Sequence, residues 1–334
     1  MKRSLRGLFS SVLILVAANG FSQSSALVSY GQQDPQFTQY MFNPVYFNPA
    51  ASGVEDAFIS TLNVRNQWVN LPGAPISQTF TSHVPVFKLS SGIGAMLMND
   101  IAGYQRNTGA SLIYSYHKQF RTSLLSFGLS GGIMQQTING DKLITPTGTY
   151  ENTVNHNDPN LPVTTSSQLL PDAAAGIYFF GPHLSAGVSG THLLTPILQG
   201  KENTVSAIQY NPNGYVYVAY QIDVSDKLGV TPNVLYKTDL SESMVDVNVF
   251  ATYNDNMCVG LSYRGFANNQ HDAVAILAGL NITDKWRISY SYDITTSAIN
   301  AVSAGSHEVV LRYSIPVARP RAGKMINNPR FLYH

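Results

Sequence analysis

The stretch KWRISYSYDI, Lys285 to Ile294, indicates how this chain folds. From Trp286 onward every second residue is apolar or aromatic, and the residues between them, from Arg287 to Asp293, are polar or charged. Period-two alternation of this kind places the two sets on opposite faces of a β-strand. The stretch therefore predicts a strand with one apolar face and one polar face.

The same alternation recurs along the chain. In HEVVLRYSI the odd positions from Val309 to Ile315 are apolar, and Val310 is the exception among the polar even positions. In VDVNVFATY the residues from Val245 to Tyr253 alternate in the same way. By this pattern we count about fourteen segments. They begin near Phe58, Ser77, Gly92, Thr108, Ser123, Asp172, Leu184, Gly214, Leu228, Met244, Met257, His271, Trp286 and Ser306.

The connections between these segments alternate in length. Short ones such as QFRTS and NDN fall at every second position, and the others are mostly longer, as in about 137–171, 193–213 and 294–305. Tight turns at one end and long loops at the other are the layout of an outer-membrane β-barrel. The predicted fold is all-β: a transmembrane antiparallel up-and-down β-barrel of about fourteen strands. An even strand number places both termini on the tight-turn side, which would be the periplasm.

Composition favours this barrel over a soluble secreted β-sandwich. Only 12% of the residues are charged, against about 25% in typical soluble domains. A sandwich needs one apolar face per strand and tolerates more surface charge, whereas the polar faces here carry mostly Ser, Thr, Asn and Gly. Tyr and Trp near strand ends fit the aromatic girdles of a membrane protein.

The N-terminal residues have the pattern of a secretory signal peptide. Lys2, Arg3 and Arg6 precede the short apolar run from Leu8 to Ala18, and we expect cleavage near Gln23. Without residues 1–23 the chain has 17 basic and 19 acidic residues, a formal net charge of −2. This near-neutral charge does not favour binding to nucleic acid, which requires a basic surface.

Motifs for catalysis or metal binding are weak. GLSGG, Gly128 to Gly132, matches the nucleophile elbow of lipases, but Ser130 lies within an alternating strand with no helix after it. The histidines lack metal-ligand spacing, and the loop ENTVNHNDPN lacks the ordered spacing of a calcium loop. A single cysteine, Cys258, cannot form an intramolecular disulfide and is expected to pack as a small apolar side chain. We therefore predict no enzyme activity and no cofactor.

Five charged residues in predicted strands are candidates for the barrel lumen. They could form ion pairs that brace the inside of a plugged barrel, or they could contact a substrate. The first alternative is favoured, because a few charges alone do not define a pore. These lumen candidates are Arg65, Arg287, Asp293, Glu308 and Arg312.

The stretch GQQDPQFTQYMFNPVYFNPAASG, Gly31 to Gly53, is too rich in proline for a helix and too irregular for a strand. A barrel of about fourteen strands has an interior too wide for wall side chains alone to fill. The segment would enter that lumen as a plug or dock a periplasmic partner. Its candidate residues are Asp34, Pro35, Phe37, Gln39, Tyr40, Phe42, Asn43, Pro44, Asn48 and Pro49.

The run from Asp34 to Pro44, followed by Asn48-Pro49-Ala50, resembles the N-terminal signature of the PorP/SprF family of type IX secretion system membrane proteins. The C-terminal run is also similar, from Ser289 to Asp293, Gly305 to Glu308 and Asn328 to Phe331. The resemblance implies a non-enzymatic outer-membrane barrel of the Bacteroidota that serves type IX secretion and, in some members, gliding motility. The resemblance implies one of two roles: action with periplasmic lipoproteins of the secretion machinery, or support for the secretion or surface attachment of one large adhesin. The implied partners are therefore those lipoproteins, such an adhesin or both, together with outer-membrane lipid.

These patterns divide the chain into four parts. Residues 1–23 are the signal peptide, 24–57 the aromatic segment in the periplasm or the lumen, 58–316 the barrel, and 317–334 a basic periplasmic tail. The tail is either a flexible solvated end or a docking element for an acidic partner face. Its docking candidates are Arg319, Arg321, Lys324, Arg330 and Phe331. The alternative function is an outer-membrane channel or small-solute transporter, which requires an open lumen.

Overall fold

The computed structural model describes residues 34–151, 153–158, 161–194, 197–198, 208–209, 211–239, 242–265 and 272–319. All of them belong to one unit, Gly31–His334. The predicted signal peptide lies outside the described residues, as do the tail candidates Arg321, Lys324, Arg330 and Phe331.

Strands dominate the described residues, and they are numbered in chain order. They are β1 (Ala57–Asn66), β2 (Ile76–Val86), β3 (Ser91–Ala102), β4 (Gln105–Gln119), β5 (Leu124–Asn139), β6 (Thr165–Phe180), β7 (Leu184–Thr191), β8 (Ile197–Leu198), β9 (Ile208–Gln209), β10 (Asn213–Tyr220), β11 (Ile222–Ser225), β12 (Leu228–Thr238), β13 (Ser243–Tyr253), β14 (Met257–Gly265), β15 (Ala273–Asn281), β16 (Trp286–Thr295) and β17 (Ser306–Pro316). Among these residues, no helix is long and apolar enough to cross a membrane.

Fifteen strands form one antiparallel sheet that closes on itself. Strand β1 pairs with β17 along its whole length, and β10 pairs with both β7 and β12. Strand β11 continues β10 along the edge of β12, so the two share one place and the ring has 14 positions. The predicted fourteen-strand antiparallel barrel is confirmed. Within the described part of the chain, strands β8 and β9 pair with each other and not with the large sheet.

The predicted strand starts lie close to the observed ones, with one exception. Strand β6 begins at Thr165 rather than near Asp172. Its first outward-facing residues are Thr165 and Ser167, which are polar. The first residues of β6 extend past the apolar band that faces lipid. They therefore lack the alternation of apolar and polar residues that predicts a strand.

The alternation of the sequence becomes the inside and outside of the barrel. In β16, Ser289, Ser291 and Asp293 are buried, whereas Tyr290 and Ile294 are exposed on the outer face. The outward side chains form a nearly continuous apolar surface, as lipid requires. Large aromatic side chains of this face lie near the turn-side strand ends, among them Tyr116, Phe127, Tyr220, Tyr253 and Trp286.

The barrel has two different ends. The short connections that follow β2, β4, β6, β11, β13 and β15 lie at one end, together with the start of β1 and the end of β17. We call this the turn end and the opposite one the loop end. The loop end holds the long connections after β5, β7 and β16, but also the two-residue connection Gly103–Tyr104. Each residue's place along its strand therefore gives its height in the barrel.

Candidate functional site: the segment inside the barrel

Residues Asp34–Val54 lie inside the ring of strands, and we call them the lumen segment. The segment is neither helix nor strand; it makes three short 3-10 turns, Tyr40–Phe42, Pro44–Tyr46 and Pro49–Ala51. Proline opens the second and third turns, where its fixed φ is already suitable and its missing N–H is not needed. Asn48 supports the third turn by accepting a hydrogen bond from the Ala50 amide at 3.0 Å.

Aromatic and aliphatic side chains of the lumen segment form the main apolar core of the barrel. Tyr40, Val45 and Phe47 are almost fully buried. The Phe47 ring lies 5.7 Å from the ring of Tyr215, and the Tyr40 ring lies 6.1 Å from that of Tyr217. Fully burying one such side chain stabilises a fold by roughly 1.5–3 kcal/mol. The aromatic residues of this irregular stretch therefore fill a space that wall side chains leave open.

A second apolar cluster surrounds Phe42. It contains Cys258, Leu277 and Val310 from three wall strands. Cys258 is buried and carries no disulfide, which confirms its predicted packing role. Val310 breaks the alternation of β17 because its inward position faces this ring. The Arg287 guanidinium lies 4.8 Å from the centre of the Phe42 ring, on which it stacks as a cation.

Glycines in the wall give the lumen segment room to approach. A Cβ atom added to Gly128 would overlap the backbone of Ala50, and one added to Gly176 would overlap the Asn48 side chain. Asn48 uses this closeness to donate a hydrogen bond to the Ile177 carbonyl at 3.1 Å. Gly128 of the GLSGG motif therefore has a packing role against the segment, and Ser130 lies in the middle of β5 rather than on a strand-to-helix turn.

Near the loop end, a buried ionic cluster holds Thr38. The Thr38 hydroxyl donates to Asp293 at 2.7 Å and accepts from Arg65 and Arg264, each at 3.1 Å. Arg65 also pairs with Asp293 at 2.7 Å, and Arg264 pairs with Asp246 at 2.7 Å. All four charged side chains are buried. The hydroxyl of the lumen segment thus links two ion pairs of the wall.

Glu308 completes this cluster and depends on the lumen segment most directly. It pairs with Arg65 at 3.1 Å and accepts backbone N–H bonds from Thr38 at 2.8 Å and Gln39 at 3.1 Å. Asn63 donates a further bond at 3.2 Å. The cluster holds three buried carboxylates and only two guanidinium groups. The backbone N–H groups of the segment therefore supply hydrogen-bond donors that the wall does not provide. A buried charge without such partners is costly.

Asp34 is held by a separate set of contacts at the loop end. Its carboxylate accepts hydrogen bonds from Thr191 at 3.0 Å and Tyr215 at 2.6 Å, and it pairs with His192 at 2.7 Å. The Lys237 ammonium donates to the Asp34 carbonyl. These partners lie on β7, β10 and β12 and on the connection after β7, so the contacts tie together strands on both sides of the ring closure.

His192 lies just beyond β7, between two carboxylates. Its imidazole is 2.7 Å from Asp34 and 3.1 Å from Asp172. Burial by itself lowers the pKa of His192, but the charge of Asp34 and the hydrogen bonds to both carboxylates outweigh burial and raise it to about 10. The imidazole is therefore a cation at neutral pH and forms true ion pairs.

The other end of the lumen segment is fixed at the turn end. The Ser52 carbonyl accepts hydrogen bonds from Ser115 at 2.7 Å and His117 at 3.0 Å. The Gly53 amide donates to His83 at 3.1 Å. Ser115, His117 and His83 all lie near the turn ends of β4 and β2. The segment therefore passes through the lumen from loop end to turn end.

The five lumen candidates separate into two groups. Arg65, Asp293 and Glu308 meet at the loop end, as described above. Arg287 contacts Phe42, and Arg312 pairs with Glu55 at 2.5 Å nearer the turn end. The ion pairs of Arg65 with Asp293 and Glu308 brace wall strands against one another, and Thr38 and Gln39 join the lumen segment to the same cluster.

Sequence reasoning missed several members of the loop-end clusters. Thr38 lies in the quoted signature but was not among the candidates, and Arg264 and Asp246 face each other across β13 and β14. Their inward position follows from strand alternation, so the signal was present. His192 follows a strand end, where alternation gives no direction. The ten segment candidates all lie in the lumen segment; all are buried except Pro35 and Pro44, which are half-buried.

Two cavities show how the lumen is filled. A cavity of about 40 Å³ separates the segment from β3–β6. A larger one, about 650 Å³, opens at the turn end beside Tyr217, Phe250 and Asp223. The lumen segment thus stands between the turn-end cavity and the loop end. Within the described residues, no group of His, Cys, Asp and Glu side chains is arranged to hold a metal ion.

Comparison with known proteins identifies a family and similar folds. Residues 29–313 match the model of a family described as type IX secretion system membrane protein PorP/SprF. No curated protein sequence matches the chain.

The chain is also similar, at low identity, to solved structures of other proteins. The toluene transporter TbuX of Ralstonia pickettii is 11% identical, with 83% of this chain and 93% of that chain covered and a TM-score of 0.49. A Pseudomonas aeruginosa FadL homologue is 10% identical, covering 87% and 96%, with a TM-score of 0.48. Omp33 of Acinetobacter baumannii is 7% identical, covering 79% and 100%, with a TM-score of 0.44.

Proposed function

This chain belongs to the PorP/SprF family of type IX secretion system membrane proteins, and from that premise we propose that it is a non-enzymatic outer-membrane component of type IX secretion or gliding whose lumen is closed by its own N-terminal segment. It supports the secretion or surface anchoring of a partner protein and does not conduct small solutes. The observation that carries the proposal is the lumen segment, Asp34–Val54, bonded to strands around the ring.

The strength of these contacts supports a permanent closure. The segment contributes Thr38, Gln39 and Asp34 to buried polar clusters and Phe47 to the core. Removing it would expose that core and leave Glu308 without two of its donors. An element whose loss leaves buried charges unpaired is part of the folded barrel. It is therefore not a gate that thermal motion opens.

The turn end faces the periplasm in this proposal. Tight turns lie on the periplasmic side of outer-membrane barrels, and longer loops face outward. The turn end also holds Pro316, after which Arg319 pairs with Asp56 at 2.6 Å. The rest of the basic tail starts from there, where periplasmic lipoproteins of the secretion machinery would meet Arg321, Lys324, Arg330 and Phe331. A large secreted adhesin would engage the loop end.

Conductance in planar lipid bilayers tests the closed lumen. We expect no steady current from the native protein and steady channels from a variant that lacks residues 34–50. The matched control is Ile144→Ala, because Ile144 is 77% exposed on a loop; it should behave like the native protein. Steady conductance of the native protein would favour the alternative function, a channel or small-solute transporter.

Secretion in cells tests the role itself. Cells that produce the variant lacking residues 34–50 should lose secreted or surface-anchored partner protein while the barrel still reaches the outer membrane, as judged by its heat-modifiable mobility on gels. Ile144→Ala again serves as the control. Normal secretion by the deletion variant would contradict a role for the lumen segment.

Copurification tests the partners. A tag on the loop end, followed by mild extraction of native outer membranes, should recover type IX components or one large secreted adhesin. Truncation after Arg319 should reduce recovery of the periplasmic components only. A barrel that repeatedly purifies alone would argue against the secretion role.

A further inference from the structure

The turn-end cavity is large enough to hold a ligand. Its volume is about 650 Å³, and ligand pockets in proteins usually measure roughly 300–1,000 Å³. It opens among the connections that follow β6, β11 and β13. Its inner wall includes Tyr217 of β10, Thr231 of β12 and Phe250 of β13. The cavity is therefore a candidate binding site at the opposite end of the barrel from the contacts of Asp34.

Two aromatic rings at the inner end of the cavity are held in place by the lumen segment. The centre of the Tyr217 ring lies 5.6 Å from that of Phe47 and 6.1 Å from that of Tyr40. The centre of the Phe250 ring lies 5.6 Å from that of Phe42. These contacts fix both rings before a ligand binds, and a pre-organised surface binds with a smaller loss of entropy. The inner end of the cavity is therefore a rigid aromatic surface.

The hydroxyl of Tyr217 is available to a ligand. Tyr217 lines the cavity and is 4% exposed, and within the described part of the chain its hydroxyl has no hydrogen-bond partner. Nearby tyrosines differ, because Tyr40 donates to the Asp246 carbonyl at 3.3 Å and Tyr215 donates to Asp34 at 2.6 Å. Buried tyrosine hydroxyls usually have such a partner. The Tyr217 hydroxyl can therefore donate a hydrogen bond to a polar group of a ligand.

Carboxylates dominate the open rim of the cavity. Asp223, Asp226 and Asp255 are exposed there, together with one ammonium group, that of Lys227. With His183 neutral, three carboxylates and one ammonium give the rim a formal charge of −2. Among the residues that the structure describes, Asp226 and Asp255 have no ion-pair partner. Such a rim attracts cationic groups and repels the phosphates of lipid head groups.

We propose that the turn-end cavity binds a basic segment of a periplasmic partner protein, in which an aromatic side chain flanked by arginine or lysine enters the cavity. The aromatic side chain packs against Tyr217 and Phe250, and the flanking cations pair with the rim carboxylates. The Tyr217 hydroxyl donates to a carbonyl group of the segment. This inference deepens the proposed function and rests on it in placing the turn end in the periplasm.

Binding of a short labelled peptide to the purified barrel in detergent tests the site. The probe is fluorescein-labelled Gly-Arg-Gly-Phe-Gly-Arg amide, and its binding is followed by fluorescence anisotropy. A matched probe carries Glu in place of both Arg residues. We expect the first probe to bind, the second to bind about tenfold more weakly or not at all, and added salt to weaken binding of the first. Equal binding of the two probes, or binding of neither, would overturn the proposal.

Neutral variants of the rim locate the binding. Asp226→Asn combined with Asp255→Asn should weaken binding of the first probe about tenfold, because it removes two carboxylates from the rim. The matched control is Asp141→Asn combined with Glu151→Gln, which removes the same charge from the connection after β5. All four side chains are exposed, so both variants should fold. Equal effects of the two variants would show a response to net charge alone and would overturn the site.

Tyr217→Phe tests the inner end of the cavity, because it removes only the hydroxyl. Stability in urea should stay unchanged, whereas binding of the first probe should weaken about three- to tenfold, as expected for the loss of one hydrogen bond. Tyr253→Phe is the matched control, since Tyr253 is 46% exposed on the outer face; it should change neither quantity. Unchanged binding by Tyr217→Phe would overturn the proposed contact with the hydroxyl.

The same titration identifies a different occupant and separates this inference from the proposed function. Binding that appears only after truncation beyond Arg319 would show that the chain's own tail occupies the cavity, which would overturn a partner site. Probe binding by a barrel that always purifies alone from cells would support the cavity and contradict the secretion role. If periplasmic components copurify equally with the native protein and with the combined Asp226→Asn and Asp255→Asn variant, the proposed function stands and the cavity is not their contact.

Discussion

At the scale of single residues, Thr38 shows how a small side chain organises a lumen. Its hydroxyl bonds to Arg65, Arg264 and Asp293, and its amide bonds to Glu308. Burying any of these wall charges without a partner would be energetically costly. One threonine of the segment therefore connects the charge pairs of four strands.

Replacing Arg65 should lower the free energy of unfolding of the barrel. Arg65→Met keeps the apolar volume but leaves Asp293 and Glu308 with one guanidinium fewer, and breaking a buried pair costs about 3–5 kcal/mol. The free energy of unfolding in urea, followed by the fluorescence of Trp68 and Trp286, measures the effect. Arg121→Ala, at an exposed turn residue, is the control and should change stability by less than about 0.5 kcal/mol. Equal effects of the two substitutions would show that the cluster contributes little.

His192 should give the barrel a specific pH dependence. Its pKa is raised to about 10 in the folded protein, above the ordinary value of about 6.5. Its charge therefore stabilises the fold fully below pH about 6.5, and this contribution is lost as pH rises through about 10. The difference in unfolding free energy between the native protein and His192→Gln should shrink over the same range. A difference that stays constant from pH 6 to 11 would exclude an ion pair with Asp34.

At the scale of elements, the lumen segment and the wall fit each other. The wall provides glycine where the segment approaches most closely, and the segment provides turns instead of regular structure. The segment and the wall therefore pack as one unit in the folded protein, and a barrel without the segment should be less stable.

Gly128→Ala tests this fit. The new methyl would meet the Ala50 backbone, and overpacking of this kind costs typically 1–3 kcal/mol. Gly131→Ala is the matched control on the same strand, because a Cβ there has no atom within 4 Å. Urea unfolding of both variants measures the difference. In the variant lacking residues 34–50 the cost of Gly128→Ala should fall to that of Gly131→Ala; if it does not, the clash lies elsewhere.

At the scale of the whole molecule, closure depends on β10. This strand joins β7 to β12 and so completes the ring, although with 8 residues it is shorter than most strands of the sheet. Closure gives β10 a partner on each side, and unpaired backbone groups in lipid are costly.

A disulfide across this closure checks it. Val218 and Val234 are opposite each other on β10 and β12, and opposed Cα atoms lie about 4.5–5.5 Å apart, within disulfide range. In a Cys258→Ala background, Val218→Cys with Val234→Cys should oxidise nearly completely in native membranes and shift the mobility of the unfolded chain. Val218→Cys with Val309→Cys, on distant strands, is the control. Equally low yields in both pairs would mean an open seam.

The barrel itself could be predicted from the sequence because alternation is a local pattern. Successive residues of a strand point to opposite faces, so the side that contacts lipid must be apolar and the side that faces the lumen can be polar. The same reasoning indicated that Asp34–Pro44 was irregular and important. It could not give the path of that segment, nor bring Thr38 to Glu308, 270 positions away. Those contacts depend on which strands close the ring and at which height each inward side chain lies, and only the tertiary structure sets both.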